Sequence, residues 1–376
     1  MNIAVIIPVV YRFMGVRESL LIAKSLAEAG IDVDIFIHTI DDDALEKLSK
    51  KTGNANVIFI RSGRYKSVSN KWYLYHQLTR KLDRQLAGLI EKRHREKKYD
   101  VLIVCANEGH WIPEYVKKWN TTAVPLLCVY IQEVIDHVII LGRDRSSPVL
   151  RALMSPFLSL LHFIESRRLA DFDFKVTNSY WTSQIVQYLY GIEPDMVLAI
   201  IDTDLFKRPT NCVKEDYIAL PTASLDRNGA EIAVRLFNEG IKLMSYGPSK
   251  VHPIPHMGFI DDDAMIKLLA TARATLFLFD YEGLGLIPLE SLAVGTPVIT
   301  YDKQGPYATL SHTSPACVSF GHDYQTLKDH CIMRLSGEPA SSERCAAVTE
   351  AFSPSKAIRQ LIGIFRVGGD YESGDE

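Results

Sequence analysis

Apolar residues fall in short continuous runs separated by longer stretches of helical spacing. Asn2 to Val9 is a branched, apolar run of the kind that forms a strand covered on both faces. Val16, Leu20, Ala23, Leu26 and Ala27 then recur at helical spacing, and Gly30 stands where a helix C-terminal cap falls. Ile31, Val33, Ile35 and Ile37 alternate with Asp32 and Asp34, the period of a strand. Strand, helix, strand is the parallel crossover unit of an open α/β sheet. The rhythm returns at Val57 to Ile60, Val101 to Cys105, Leu126 to Ile131 and Lys175 to Thr177, with a long helical pattern from Trp72 to Lys98. A polar connection holding Glu193, Pro194, Asp202 and Pro209 follows Gly191. A second series then runs through Tyr217 to Leu220, Ile241 to Ser245, Ala274 to Phe279 and Val298 to Thr300. Two doubly wound α/β domains are predicted, with the boundary near residues 195–210 and no fixed-period repeat between the halves.

Composition agrees with two cores. The chain has 376 residues, 47% hydrophobic and 23% charged, which excludes disorder and collagen-like structure. Lys and Arg number 42 against 45 Asp and Glu, a formal charge of -3, so no nucleic-acid partner is expected. Six cysteines (Cys105, Cys128, Cys212, Cys317, Cys331, Cys345) lie far apart without a C-x-x-C pair, which argues against a disulfide framework or a thiolate zinc site. They read as buried thiols in a reducing cytoplasm. No run reaches the roughly 18 apolar residues of a spanning helix, and MNIAVIIPVV lacks the basic start and cleavage site of a leader. The expected location is the cytoplasm, with peripheral attachment to the cytoplasmic membrane face as an option.

That option rests on uneven charge. Residues 61–98 carry twelve Lys and Arg against three acids, with Trp72, Tyr73 and Tyr75 interleaved, a surface suited to an anionic membrane or a lipid diphosphate. A solvated helix face explains the same charges. The apolar stripe Leu150, Leu153, Met154, Phe157, Leu158, Leu161 and Ile164 reads as core more readily than as membrane contact.

The stretch ATLFLFDYEGLGLIPLESLAVGTPVIT, from Ala274 to Thr300, carries the chemistry. A buried strand runs to Phe279, and a loop follows with Glu282, Gly283, Leu284, Gly285 and Leu286. Pro288 is placed as the first residue of a helix that stops at Gly295. Free N–H groups at a positive helix start, with glycines allowing close approach, suit a phosphate or diphosphate. Glu282 and Glu290, eight positions apart, flank that guest; carboxylates there need hydroxyl donors such as the diols of a ribose and a sugar ring. A nucleotide sugar meets both demands.

E-G-L-G-L-I-P-L-E followed by S-L-A-V-G-T-P-V-I resembles the signature of the retaining glycosyltransferases of the GT-B fold, family 4 (glycosyl transferases group 1). Met257-Gly258-Phe259-Ile260, Thr177 to Thr182, Ile200 to Phe206 and Phe352-Ser353-Pro354 resemble the same family's surrounding segments. The resemblance is strong from about 170 to 305 and weaker before. It implies two Rossmann-like domains facing across a cleft: an acceptor domain at 1–198, a nucleotide-sugar domain at 199–352 and a helix at 353–366 crossing back to the first domain; the last ten residues, 367–376, carry Gly and acids with little to bury and are expected to form a disordered acidic tail. It further implies a hexosyl transfer with retention, without metal or other cofactor, from a UDP or GDP sugar to a glycan or lipid-linked acceptor. Glu290 would bind the ribose and Glu282 the transferred sugar. Gly283, Leu284, Gly285 and Leu286 would contact sugar and diphosphate, Gly15 would approach the phosphates, and Gly258, Phe259 and Ile260 would lie near the base.

The sequence departs from the family in its charged residues. Ala223 and Asn228 stand where an Arg and a Lys usually neutralise the diphosphate, leaving Arg227 as the substitute. Gln132 stands where a His usually meets the transferred sugar; it can hydrogen-bond but not carry a proton. Glu108, His110 and His137 are the candidates for the acceptor. A catalytically weak sugar- or nucleotide-binding homologue is the alternative these departures suggest. A nicotinamide oxidoreductase is disfavoured because no G-x-G-x-x-G follows the first strand.

Overall fold

The computed structural model describes residues 1–10, 16–62, 75–105, 109, 111–119, 126–129, 166–223, 225–280, 282–338 and 340–369, with scattered positions between 156 and 164. Two compact units emerge. One comprises Met1–Asn178, Thr182–Ile200 and Pro354–Glu376, the other Ser179–Trp181 and Ile201–Ser353.

The first unit opens with β1 (Asn2–Ile6), β2 (Val9–Val10), α1 (Arg17–Glu28), β3 (Asp32–Ile40), α2 (Asp42–Thr52), β4 (Asn56–Ser62), α3 (Tyr75–Lys97) and β5 (Val101–Val104). It continues with α4 (Ile112–Val116), β6 (Leu126–Val129), β7 (Phe174–Thr177), α5 (Tyr180–Tyr190) and β8 (Met196–Val197). All pairings are parallel, in the order β2-β3-β1-β5-β6-β7-β8 with β4 beside β3. β1 is apolar throughout because it is central: Ile3 to Ile6 are fully buried between β3 and β5. α1 turns Leu20, Ile22 and Leu26 into that core.

Several of the cations at residues 61–98 are used internally. Asp34 lies buried on β3 and accepts bonds from Lys97 Nζ at 2.7 Å, Arg93 Nε at 3.3 Å, Asn56 Nδ2 at 3.1 Å and the Tyr99 hydroxyl. Burial alone would raise the Asp34 carboxyl, but the bonds from Lys97, Tyr99 and Asn56 outweigh it and hold the group below its ordinary range. Arg95 pairs with Glu91 at 2.6 Å, Arg80 with Glu114 at 3.3 Å, and Arg61 Nε donates to Thr39 at 3.0 Å. Arg64, Lys66, Lys71, Trp72 and Tyr73 lie outside the described residues, as do Leu150, Leu153, Met154, Phe157, Leu158 and Leu161 of the apolar stripe. Among the described residues no helix is long and apolar enough to cross a membrane.

The second unit runs β9 (Ile218–Pro221), α6 (Arg227–Asn238), β10 (Leu243–Tyr246), α7 (Asp262–Thr271), β11 (Ala274–Phe277), α8 (Leu286–Ala293) and β12 (Val298–Tyr301). α9 (Gln304–Leu310), β13 (Val318–Gly321), α10 (Tyr324–Ser336), α11 (Ser342–Val348) and a 3-10 turn (Thr349–Phe352) complete it. Its five parallel strands lie in the order β10-β9-β11-β12-β13. β13 is absent from the sequence-based expectation; four residues are too few for a period, and its pairing with β12 makes it a strand. The last helix, α12 (Pro354–Gly369), belongs with the first unit, where Ala357, Ile358 and Leu361 join Leu20 and Leu26 in one core.

Three expectations need correction. α8 begins at Leu286 rather than Pro288; proline is tolerated in the first turn because its missing N–H would have had no intrahelical partner. The final helix continues through Gly369 rather than ending at 366, because helical bonding carries on into residues whose Gly-rich composition pointed to a tail. Residues 370–376 lie outside the described set. Cys212 is half-buried rather than buried, whereas Cys105, Cys317, Cys331 and Cys345 are buried free thiols.

At the amino end of the second sheet, Lys214 Nζ donates to Ala272 O at 2.8 Å and Thr296 Oγ1 at 2.5 Å, tying together the segments that enter β11 and β12. Burial lowers its pKa to about 7, with Arg208 adding to the shift. Above that pH the folded protein has released a proton that the unfolded chain keeps until the ordinary lysine range. Stability should therefore rise with pH from about 7 towards 10.5. Thermal midpoints measured across that window for the wild type and Lys214→Met check this: the rise should be flattened in the variant.

Candidate functional site

Order in the second sheet reverses at β9. The chain leaves β9 for β10 on one side and returns to β11 on the other, so the connections after β9 and β11 diverge and open a crevice at the strands' carboxyl ends. α6 starts close against this edge: a Cβ on Gly229 would lie 2.5 Å from the Leu278 carbonyl.

The loop after β11 lies on that crevice. Gly285 takes φ 85°, a left-handed conformation suited to glycine, and becomes the residue before α8. Asp41, Asp226, Asp261, Asp323 and Ser341 cap α2, α6, α7, α10 and α11 through their side chains, whereas α8 has no side-chain cap. The N–H groups of Leu286 and Ile287 meet no acceptor among the described residues, and they stand at the positive end of the helix. Glu282 bends back so that its Oε1 accepts the Gly285 N–H at 3.3 Å. Glu290, on the first turns of the same helix, is only 3% exposed. The structure thus places two carboxylates, free N–H groups and a glycine turn on one short segment.

A second segment holds this loop in shape. Glu282 N–H donates to Gln304 Oε1 at 2.9 Å, and Gly305 N–H donates to the Glu282 carbonyl at 3.0 Å. A Cβ on Gly305 would fall 1.9 Å from the Gly283 oxygen, so that approach admits only glycine. The Ser179 hydroxyl, which clusters with this unit, donates to the Gly283 carbonyl. Just before the loop, Asp280 pairs with Lys303 at 2.5 Å. Sequence reasoning missed Ser179, Asp280, Lys303, Gln304 and Gly305. The one local signal was Gly305-Pro306 after a buried strand, a turn rather than a chemical motif.

At the neighbouring β10 edge, Gly258 takes φ 76° and its carbonyl accepts the Gly247 N–H at 2.8 Å. This turn leaves Phe259 71% exposed and Ile260 half-buried. Arg227 is placed differently from the rest. Its side chain is 93% exposed and pairs with Glu231 at 2.8 Å along α6, a bond that also raises its pKa. Ala223 and Asn228 are exposed as well. Gly15, Glu108, His110, Gln132 and His137 lie outside the described residues. Among the described residues no cluster of three His, Cys, Asp or Glu side chains is assembled to hold a metal ion.

Chemically, the arrangement offers N–H groups and a helix terminus to an anion and carboxylate acceptors to hydroxyl groups. Residues 252–351 match the family model of Glycosyl transferases group 1. The ORF378 product of Acidianus filamentous virus 2, named as a candidate glycosyltransferase, is 26% identical over 117 residues, 30% of this chain and 31% of that protein. The chain thus matches about a third of the viral protein's length. Among solved structures, sucrose-phosphate synthase from Thermosynechococcus elongatus aligns with a TM-score of 0.71 at 16% identity, covering 99% of this chain and 100% of that one. Anabaena Alr3699/HepE in complex with UDP-glucose aligns with a TM-score of 0.67 at 13% identity, covering 98% and 100%. The family match lies across the glycine loop and α8, and the whole chain follows these structures, so the protein has the GT-B fold and carries, over residues 252–351, a segment similar to glycosyl transferases group 1.

Proposed function

We propose that the protein is a retaining glycosyltransferase of family 4 that moves a hexosyl group from a nucleotide-diphosphate sugar to an acceptor. The observation that carries this reading is the start of α8, which has no side-chain cap and whose Leu286 and Ile287 N–H groups meet no acceptor among the described residues, with Glu282 and Glu290 on either side. In it, the diphosphate sits at the helix start, Glu290 takes the ribose hydroxyls and Glu282 the hydroxyls of the transferred sugar. The exposed ring of Phe259 supports the base. HepE is a relative in fold whose structure contains UDP-glucose, which favours a UDP sugar as first choice of donor.

Transfer proceeds on one face of the sugar. The bond from C1 to the departing phosphate breaks, the acceptor oxygen bonds to C1, and the acceptor proton passes to the departing phosphate. No step needs a metal. The acceptor is a glycan or lipid-linked glycan, met at the cytoplasmic membrane face; enough of the cations at 61–98 are spent on Asp34, Glu91 and Glu114 that the helix supplies only part of that attraction. A second reading, a sugar-nucleotide-binding protein with little turnover, is favoured by one observation: Arg227 is turned to Glu231 and solvent, and Ala223 and Asn228 are uncharged.

Thermal unfolding with UDP, GDP, ADP and their sugar conjugates tests the site, since a ligand at about 100 times its Kd adds about 2.7 kcal/mol to native stability. The wild type should respond to one nucleotide, and Glu290→Ala should lose about ten- to a hundredfold in affinity with its ligand-free midpoint kept. Unchanged affinity removes Glu290 from the site. Gly305→Ala should displace the Gly283 carbonyl and abolish the nucleotide response, read in the same assay. NMR of the transfer product decides mechanism: an inverted anomeric centre overturns retention, and binding without turnover selects the second reading.

A further inference from the structure

A departing diphosphate is stabilised by positive charge placed before the reaction, and a helix terminus of about half a unit charge covers only part of it. Ala223 and Asn228 provide none, and Arg227 is spent on Glu231. Lys303 is the cation built into the loop pair itself. β12 lies beside β11, with Thr300 opposite Phe277, so the loops carrying Lys303 and Glu282 leave the sheet at the same end. The Lys303 ammonium lies 2.5 Å from Asp280 Oδ1 and 4.5 Å from the centre of the Tyr301 ring, a seat of opposite charge and aromatic face.

The residues that follow fix this seat to the donor loop. Gln304 takes φ 66°, a left-handed conformation that is costly for a residue with a side chain, and its amide oxygen accepts the Glu282 N–H. Gly305 bonds the Glu282 carbonyl from the next position. Lys303 is thus held to Asp280, two residues before Glu282, while its neighbours hold Glu282 itself. Its side chain is 46% exposed, so the ammonium keeps donors for a ligand beside its ion pair with Asp280.

We propose that Lys303 is a catalytic residue that neutralises the departing diphosphate, held ready by Asp280 and tied to the donor loop by Gln304 and Gly305. The proposal rests on the donor-site reading above. Lys303 gives and takes no proton in the step: the electron pair of the broken C1–O bond goes to the phosphate, the proton comes from the acceptor, and the ammonium supplies charge alone.

Calorimetric titration of the full chain with UDP and uridine, or with GDP and guanosine if the wild type selects guanine, tests it. Lys303→Met should lose about ten- to a hundredfold in diphosphate affinity and leave nucleoside affinity unchanged, with Lys303→Arg recovering most of the loss. In transfer assays Lys303→Met should lower kcat more than it raises KM. If Lys303→Met binds the diphosphate as the wild type does while Glu290→Ala is weakened, the inference fails and the donor-site reading stands. An equal loss for nucleoside and diphosphate makes Lys303 merely structural and also overturns the inference. A wild type that binds no nucleoside diphosphate overturns the reading, and the inference with it.

Discussion

The close approach of Gly305 to the Gly283 carbonyl is the contact on which the candidate site depends. No side chain fits there, since a Cβ would fall 1.9 Å from the oxygen. With Gly305 N–H and the Gln304 side chain bonded to the Glu282 backbone, the loop before α8 is held by its neighbour rather than by its own sequence. Ser179 adds a bond to the Gly283 carbonyl. These bonds hold the Glu282 and Gly283 backbone groups on the protein side, while the first N–H groups of α8 meet no acceptor among the described residues.

Charge follows a similar division. Five other helices begin with a side chain that accepts a first-turn N–H, so their starts are already satisfied; α8 begins with glycine and is not. Around Asp34 the opposite economy holds. A buried carboxylate draws Lys97, Arg93 and Tyr99 to itself, and cations that look like a free patch in the sequence become part of the first unit's internal structure. Basic residues counted along a chain therefore overstate the positive surface wherever an acid on another element faces them.

The strands most readable in advance were those buried on both sides, such as Ile3 to Ile6 and Leu276 to Phe277, because a central parallel strand accounts for such runs. β13 escaped notice because it owes its existence to β12, and α12 ran past its expected end because its hydrogen bonding continues into a glycine-containing segment. In the site, Glu282, Gly283, Gly285 and Glu290 were legible since their types and spacing are local to one loop and one helix. Gly258 was singled out only through the family resemblance, and its φ of 76° gives the physical reason for glycine.

The sequence alone indicated what a segment can be: a parallel strand, a glycine-containing loop between two acids, a helix that follows it. These follow from periodicity and from residue types that act over a few positions. Which distant groups complete the site was decided by tertiary structure. Sheet order sets β12 beside β11 and so brings Lys303 to Asp280, Gln304 to Glu282 and Gly305 to Gly283, whereas Arg227, adjacent to the site in the sequence pattern, follows its helix to Glu231 and solvent. Local pattern carries no information about which strand pairs with which, and it is strand pairing that selects the neighbours of a loop.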